Sequence, residues 1–120
     1  MRRMRTEIVA ALALAGASPA WATDYSAPLS PQQEDFKARY ATLDAACRDR
    51  AISQFGLSVE RAAAFCACET DVIARNSNLK DLASLTAAAF GTKDQQDENA
   101  ARAQDLLTRL LPERKRVCGY

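Results

Sequence analysis

Ser58-Val59-Glu60-Arg61-Ala62-Ala63-Ala64-Phe65-Cys66-Ala67-Cys68-Glu69-Thr70-Asp71-Val72-Ile73-Ala74-Arg75-Asn76 is the stretch from which the rest of the chain can be placed. Ser58 is an N-cap residue, and Glu60 sits where the positive end of a helix favours an acid. No Gly or Pro interrupts the run from Val59 to Asn76. Advancing 100° per residue from Phe65 puts Val72 at about −20°, Glu69 at about 40°, Ile73 at about 80°, Cys66 at about 100° and Cys68 at about −60°. One arc of a helix is therefore apolar, with a cysteine near each edge and a carboxylate inside it.

Working outward, Ser30-Pro31-Gln32-Gln33 combines an N-cap Ser, a Pro at the first helical position and a Gln at the third. The hydroxyl and the amide can each satisfy a backbone N–H that a helix start leaves unpaired. Phe36, Tyr40, Leu43 and Cys47 then fall on one face of a first helix, predicted to run to about Gln54 and to stop at Gly56. Beyond the central stretch, Asn76-Ser77-Asn78 reads as a turn. A third helix carries Leu79, Leu82, Leu85, Ala89 and Phe90 and ends at Gly91. Thr92-Lys93-Asp94-Gln95 is a second capping box. It opens a fourth helix with Ala103, Leu106, Leu107, Leu110 and Leu111 on its apolar face, which Pro112 is expected to terminate.

No segment alternates with period two over β-branched residues, so the predicted fold is all-α, a single four-helix domain over residues 31–120. Residues 23–30, polar and containing Pro28, read as a flexible leader. The Leu-rich face of the fourth helix is broad for so small a domain and is a candidate partner surface or homodimer seam.

The N-terminus carries a different signal. Met1-Arg2-Arg3-Met4-Arg5 is a positive n-region, Ile8 to Ala17 is a short apolar run, and Ala20-Trp21-Ala22 offers the small residues that signal peptidase needs. A bilayer-spanning helix needs roughly 20 apolar residues, about twice this run. Residues 1–22 are therefore read as a secretory signal peptide cleaved after Ala22, leaving no stable membrane anchor. The expected location is periplasmic or secreted.

Composition narrows the chemistry. The 120-residue chain has no His, so imidazole bases, Ser-His or Cys-His nucleophiles and His-ligated metals are excluded. Three Arg and one Glu leave with the signal, so the 16 basic and 15 acidic side chains become 13 and 14. A near-neutral chain is a poor partner for nucleic acid, and Arg114-Lys115-Arg116 is too short a cluster for a lipid site and reads as solvated surface. Asp94, Asp97 and Glu98 lack the spacing of a calcium loop.

Cys47, Cys66, Cys68 and Cys118 are an even set in a short exported chain, which points to two disulfides. Three pairings are possible. If the first two helices fold back on each other near residues 55 and 56, Cys47 lies roughly 3 Å out of register with Cys66 and roughly 6 Å with Cys68. That favours Cys47–Cys66 and Cys68–Cys118. Pairing Cys66 with Cys68 would join side chains about 200° apart on one helix. The functional alternative is a Cys66/Cys68 thiolate pair that holds a soft metal such as copper or handles thiols. Glu69 is a candidate functional carboxylate, set against the plainer reading of a salt bridge to Arg48, Arg50 or the C-terminal basic run. No catalytic constellation and no cofactor motif can be assembled. The expectation is a non-enzymatic protein that binds another envelope protein, as an inhibitor, immunity factor, adaptor or chaperone.

Overall fold

A computed structural model describes residues 23–119; the segment read as an export signal and its cleavage point after Ala22 lie outside the described residues. The chain runs α1 (Pro31–Tyr40), a 3-10 turn (Ala41–Leu43), α2 (Asp44–Phe55), α3 (Val59–Arg75), α4 (Leu79–Phe90), α5 (Lys93–Arg109) and α6 (Leu111–Cys118). No strand occurs among the described residues. The all-α fold is as predicted, and α1, α3 and α5 start at the anticipated caps. Ser30 Oγ accepts from Gln33 N while Ser30 N donates back to the Gln33 side chain, and Thr92 and Gln95 repeat the arrangement. Ser58 caps α3, and Asn78 caps α4 by accepting from Asp81 N at 2.8 Å.

Gly56 closes α2 in the left-handed region at φ 67°, and Leu57 N reaches back to the Ala51 carbonyl, so the chain reverses sharply into α3. Small residues face each other across this hairpin: Ala51, Ala62 and Cys66 are all at most 1% exposed. A second hairpin joins α4 and α5 through Gly91 and Thr92. The main core lies between α1, α3, α4 and α5 and consists of Phe36, Ile73, Ala74, Leu82, Leu85, Ala103 and Leu106. Tyr40 stacks on Phe36 and donates its hydroxyl to the Leu85 carbonyl at 3.0 Å. At the rim, Arg102 of α5 holds the buried Asp81 of α4 at 2.9 Å.

Gly91 has an extended backbone and is required by space, not by dihedral angle. A Cβ there would stand 2.6 Å from the Ala87 carbonyl oxygen and 2.7 Å from the Gln95 side chain. Because the first of these is helix backbone, Gly91→Ala is expected to cost about 1–3 kcal/mol in denaturant unfolding.

Three expectations are corrected. The first predicted helix is divided by the 3-10 turn, where the Thr42 hydroxyl takes the Arg39 carbonyl at 2.7 Å in competition with the helical ladder. A 3-10 turn has 3.0 residues per turn against 3.6, so the apolar face slips in phase and Leu43 is left 40% exposed. Pro112 ends α5 but also starts α6, since a Pro in the first turn needs no N–H partner. The third concerns residues 23–30, which are held and not a free leader. Arg75 donates to the carbonyls of Asp24 and Ala27, Thr23 is hydrogen-bonded to Asn76, and the Tyr25 hydroxyl donates to Glu113 at 2.7 Å while accepting from Asn76.

This strap is carboxylate-dependent. Burial raises the Asp71 pKa, but hydrogen bonds from Lys37 and Arg75 outweigh it and hold the group below its ordinary value. Glu113 is lowered by Arg116 and then by Tyr25. Depressed folded pKa values mean that both contributions are complete above the ordinary carboxylate pKa of about 4 and vanish as pH falls through the lowered values. Acidification is therefore expected to raise hydrogen exchange in residues 23–30 before it does so in α4 and α5.

Candidate functional site

The disulfides join Cys47 of α2 to Cys66 of α3 and Cys68 of α3 to Cys118 of α6, with Cα–Cα distances of 6.1 and 5.8 Å. Cys66 and Cys68, two positions apart on a continuous helix, thus face different neighbours. Bonded in this way, neither sulfur is a thiolate ligand, and no cysteine is free among the described residues. Two such bridges mark a chain that matures in an oxidising compartment. Among the described residues no helix is long and apolar enough to cross a membrane, and no group of three metal-ligating side chains is present.

Glu69 points under α6, where its Oε1 accepts from Arg114 Nη1 at 2.8 Å, with both side chains about one-seventh exposed. Arg114 also donates to the Leu107 carbonyl at 2.7 Å and so caps the last turn of α5. Oε2 of Glu69 and Nε of Arg114 are buried without a hydrogen-bond partner. This corrects the solvated reading of the basic cluster: Arg114 turns inward, while Lys115 and Arg116 face water and Arg116 pairs with Glu113. The same geometry locates Glu69 in an interhelical tie. What it faces is a cation, Arg114.

A concave feature lies elsewhere, between α1 and α4. It is an open groove of about 770 Å³, with Pro31, Phe36 and Arg39 on one wall and Leu79, Thr86 and Phe90 on the other. Its origin is legible in α4, which carries two apolar stripes. Leu82 and Leu85 face the core, whereas Leu79, Ala83, Thr86 and Phe90, spaced by four, three and four, face the groove. Leu79 is 61% and Phe90 39% exposed, although helical spacing alone puts both on the core face. Spacing misleads here because α1 covers only part of α4, so the second stripe has no helix over it. Tyr40 packs edge-on against Phe90 at 5.7 Å and stiffens that end of the wall. The rim charges Asp35 and Arg39 neutralise each other at 3.1 Å.

By contrast, the Leu-rich face of α5 is used inside the domain. Leu106 is buried, and Leu107 and Leu110 pack against the core.

Fold and surface together define a small helical domain with two interhelical disulfides and an open apolar groove. Comparison with protein-family models, with curated proteins and with solved structures finds no match for the chain.

Proposed function

We propose that the chain is an exported protein of the cell envelope, periplasmic or secreted after cleavage at Ala22, that acts without catalysis by binding a helix of another protein in the α1/α4 groove. The second apolar stripe of α4 carries this reading. An exposed Leu79 and Phe90 at the two ends of one helical face, with small Ala83 between them, leave a trough between two helices. Amphipathic helices are bound in troughs of this kind through side chains spaced at i, i+3, i+4 and i+7. The internally neutralised rim favours an uncharged face on the incoming helix. Inhibitor, immunity, adaptor and chaperone roles would all work through such a contact, in a monomer or a homodimer.

The test is site-specific photo-crosslinking in cells that export the protein. A benzophenone side chain at position 83 or 86 should give one discrete adduct, absent when the probe is at position 53 on α2 and abolished by Leu79→Asp. An adduct of twice the chain's own mass would identify the incoming helix as that of a second copy. The same adducts from position 53, or none from the groove, would refute the reading.

A further inference from the structure

We propose that Cys68–Cys118 is an exchangeable disulfide, reached by a dithiol through the cleft beside α6, and that opening it releases α6 from α3 while α1, α3, α4 and α5 stay packed. The groove between α1 and α4 plays no part in this, so the inference is independent of what that groove binds. Three observations carry it.

The first is access. Cys68 and Cys118 both line an open cleft of about 250 Å³, together with Leu57, Arg61 and Val117, and both are half-buried. In the other bridge Cys47 is half-buried as well, but Cys66 is only 1% exposed and neither cysteine lines the cleft. Exchange requires a thiolate to reach a sulfur along its bond to the other sulfur, and a buried sulfur denies that approach.

The second is electrostatic. Arg61 is the charged side chain lining the cleft, and among the described residues no Asp or Glu lines it. A cation at this position attracts an incoming thiolate and stabilises the cysteine thiolate that leaves.

The third is the manner in which α6 is attached. It contributes no buried residue: the disulfide alone holds its last residue, while the Glu69–Arg114 pair, the Tyr25–Glu113 bond and the bond from Arg114 to the Leu107 carbonyl hold its first half. Cys47–Cys66, in contrast, crosses a hairpin in which Ala51 and Ala62 are already packed, so its sulfurs stay close after reduction and close again. One bridge fastens the last turn of a helix that has no buried residue, and the other fastens surfaces already packed through Ala51 and Ala62.

In the reaction a thiolate of the dithiol attacks one sulfur of the pair, forming a mixed disulfide and expelling the other cysteine as thiolate. The second thiol of the reagent then displaces the first cysteine. The dithiol leaves as a disulfide, oxidised by two electrons, and its two protons end on Cys68 and Cys118. With α6 released, Arg114 is withdrawn from Glu69 and the carboxylate is bared to solvent.

The experiment is reduction of the oxidised chain by limiting dithiothreitol under native conditions, with alkylation at intervals and peptide mapping. Cys68 and Cys118 should be alkylated at least about tenfold faster than Cys47 and Cys66. In the singly reduced species, hydrogen exchange should rise in residues 111–118 while residues 79–109 keep their protection. Arg61→Gln should slow the first exchange about threefold and leave the second unchanged. Simultaneous opening of both bridges, earlier opening of Cys47–Cys66, loss of protection throughout the chain, or an Arg61→Gln variant with the wild-type rate ratio would each overturn the proposal.

Discussion

A variant with all four cysteines replaced by alanine should be largely unfolded at 37 °C, the outcome that removal of native disulfides often has in small secreted domains. The sequence separations are 19 for Cys47–Cys66 and 50 for Cys68–Cys118. Loop closure of the unfolded chain then makes the bridges worth about 3 and about 4 kcal/mol. Their combined loss, about 7 kcal/mol, lies within the 5–15 kcal/mol that holds an ordinary domain together. The pairwise variants should still fold. Cys68→Ala with Cys118→Ala should lose the larger amount, and Cys47→Ala with Cys66→Ala the smaller. Alanine is the proper replacement, because a serine at the buried Cys66 would add an unsatisfied hydroxyl. Denaturant unfolding followed by circular dichroism measures all three. A four-alanine chain as stable as the parent would show that the bridges are dispensable.

Leu85→Ala should lower stability by about 2–5 kcal/mol, whereas Leu79→Ala, six positions earlier on the same helix, should change it by less than about 0.5 kcal/mol. Leu85 is fully buried amid Phe36, Ile73, Leu82 and Leu106, and its carbonyl receives the Tyr40 hydroxyl. Truncating it leaves a cavity bounded by the rigid Phe36–Tyr40 stack, which collapses poorly. Leu79 is 61% exposed on the groove wall and supports nothing beneath it. The contrast therefore separates the two stripes of α4. Equal losses at both positions would mean that the groove face is packed against something in the folded monomer, and the binding proposal would lose its basis.

Helix starts are legible in the sequence because capping is local. Ser30 with Gln33, Ser58, and Thr92 with Gln95 satisfy backbone donors within a few residues of themselves, whatever packs around them. The cysteine pairing is legible for a related reason: Gly56 fixes where the chain reverses, and helical rise then sets which residues of α2 and α3 are level. The features that escape a sequence reading depend on contacts between distant segments. Arg114 belongs to a run of three basic residues that looks solvated, and it turns inward only because the Cys68–Cys118 bridge lays α6 over Glu69. Pro112 signals a break, but whether a new helix begins there depends on α3 offering a surface for it. The groove stripe is present in the spacing of Leu79, Ala83, Thr86 and Phe90. Ala and Thr give it little apolar weight, and only the placement of α1 decides that it stays uncovered. The ordering of residues 23–30 rests likewise on Arg75, Asn76 and Glu113, far along the chain.

All four cysteines join helices, and among the described residues none presents a thiolate. The most direct measurement is peptide mapping, without reduction, of the protein recovered from the compartment in which it matures, with free thiols blocked at lysis. The expected result is linked peptides Cys47–Cys66 and Cys68–Cys118 and no blocked cysteine in the resting protein. Blocked Cys66 and Cys68, or peptides linking Cys47 to Cys68 and Cys66 to Cys118, would contradict it.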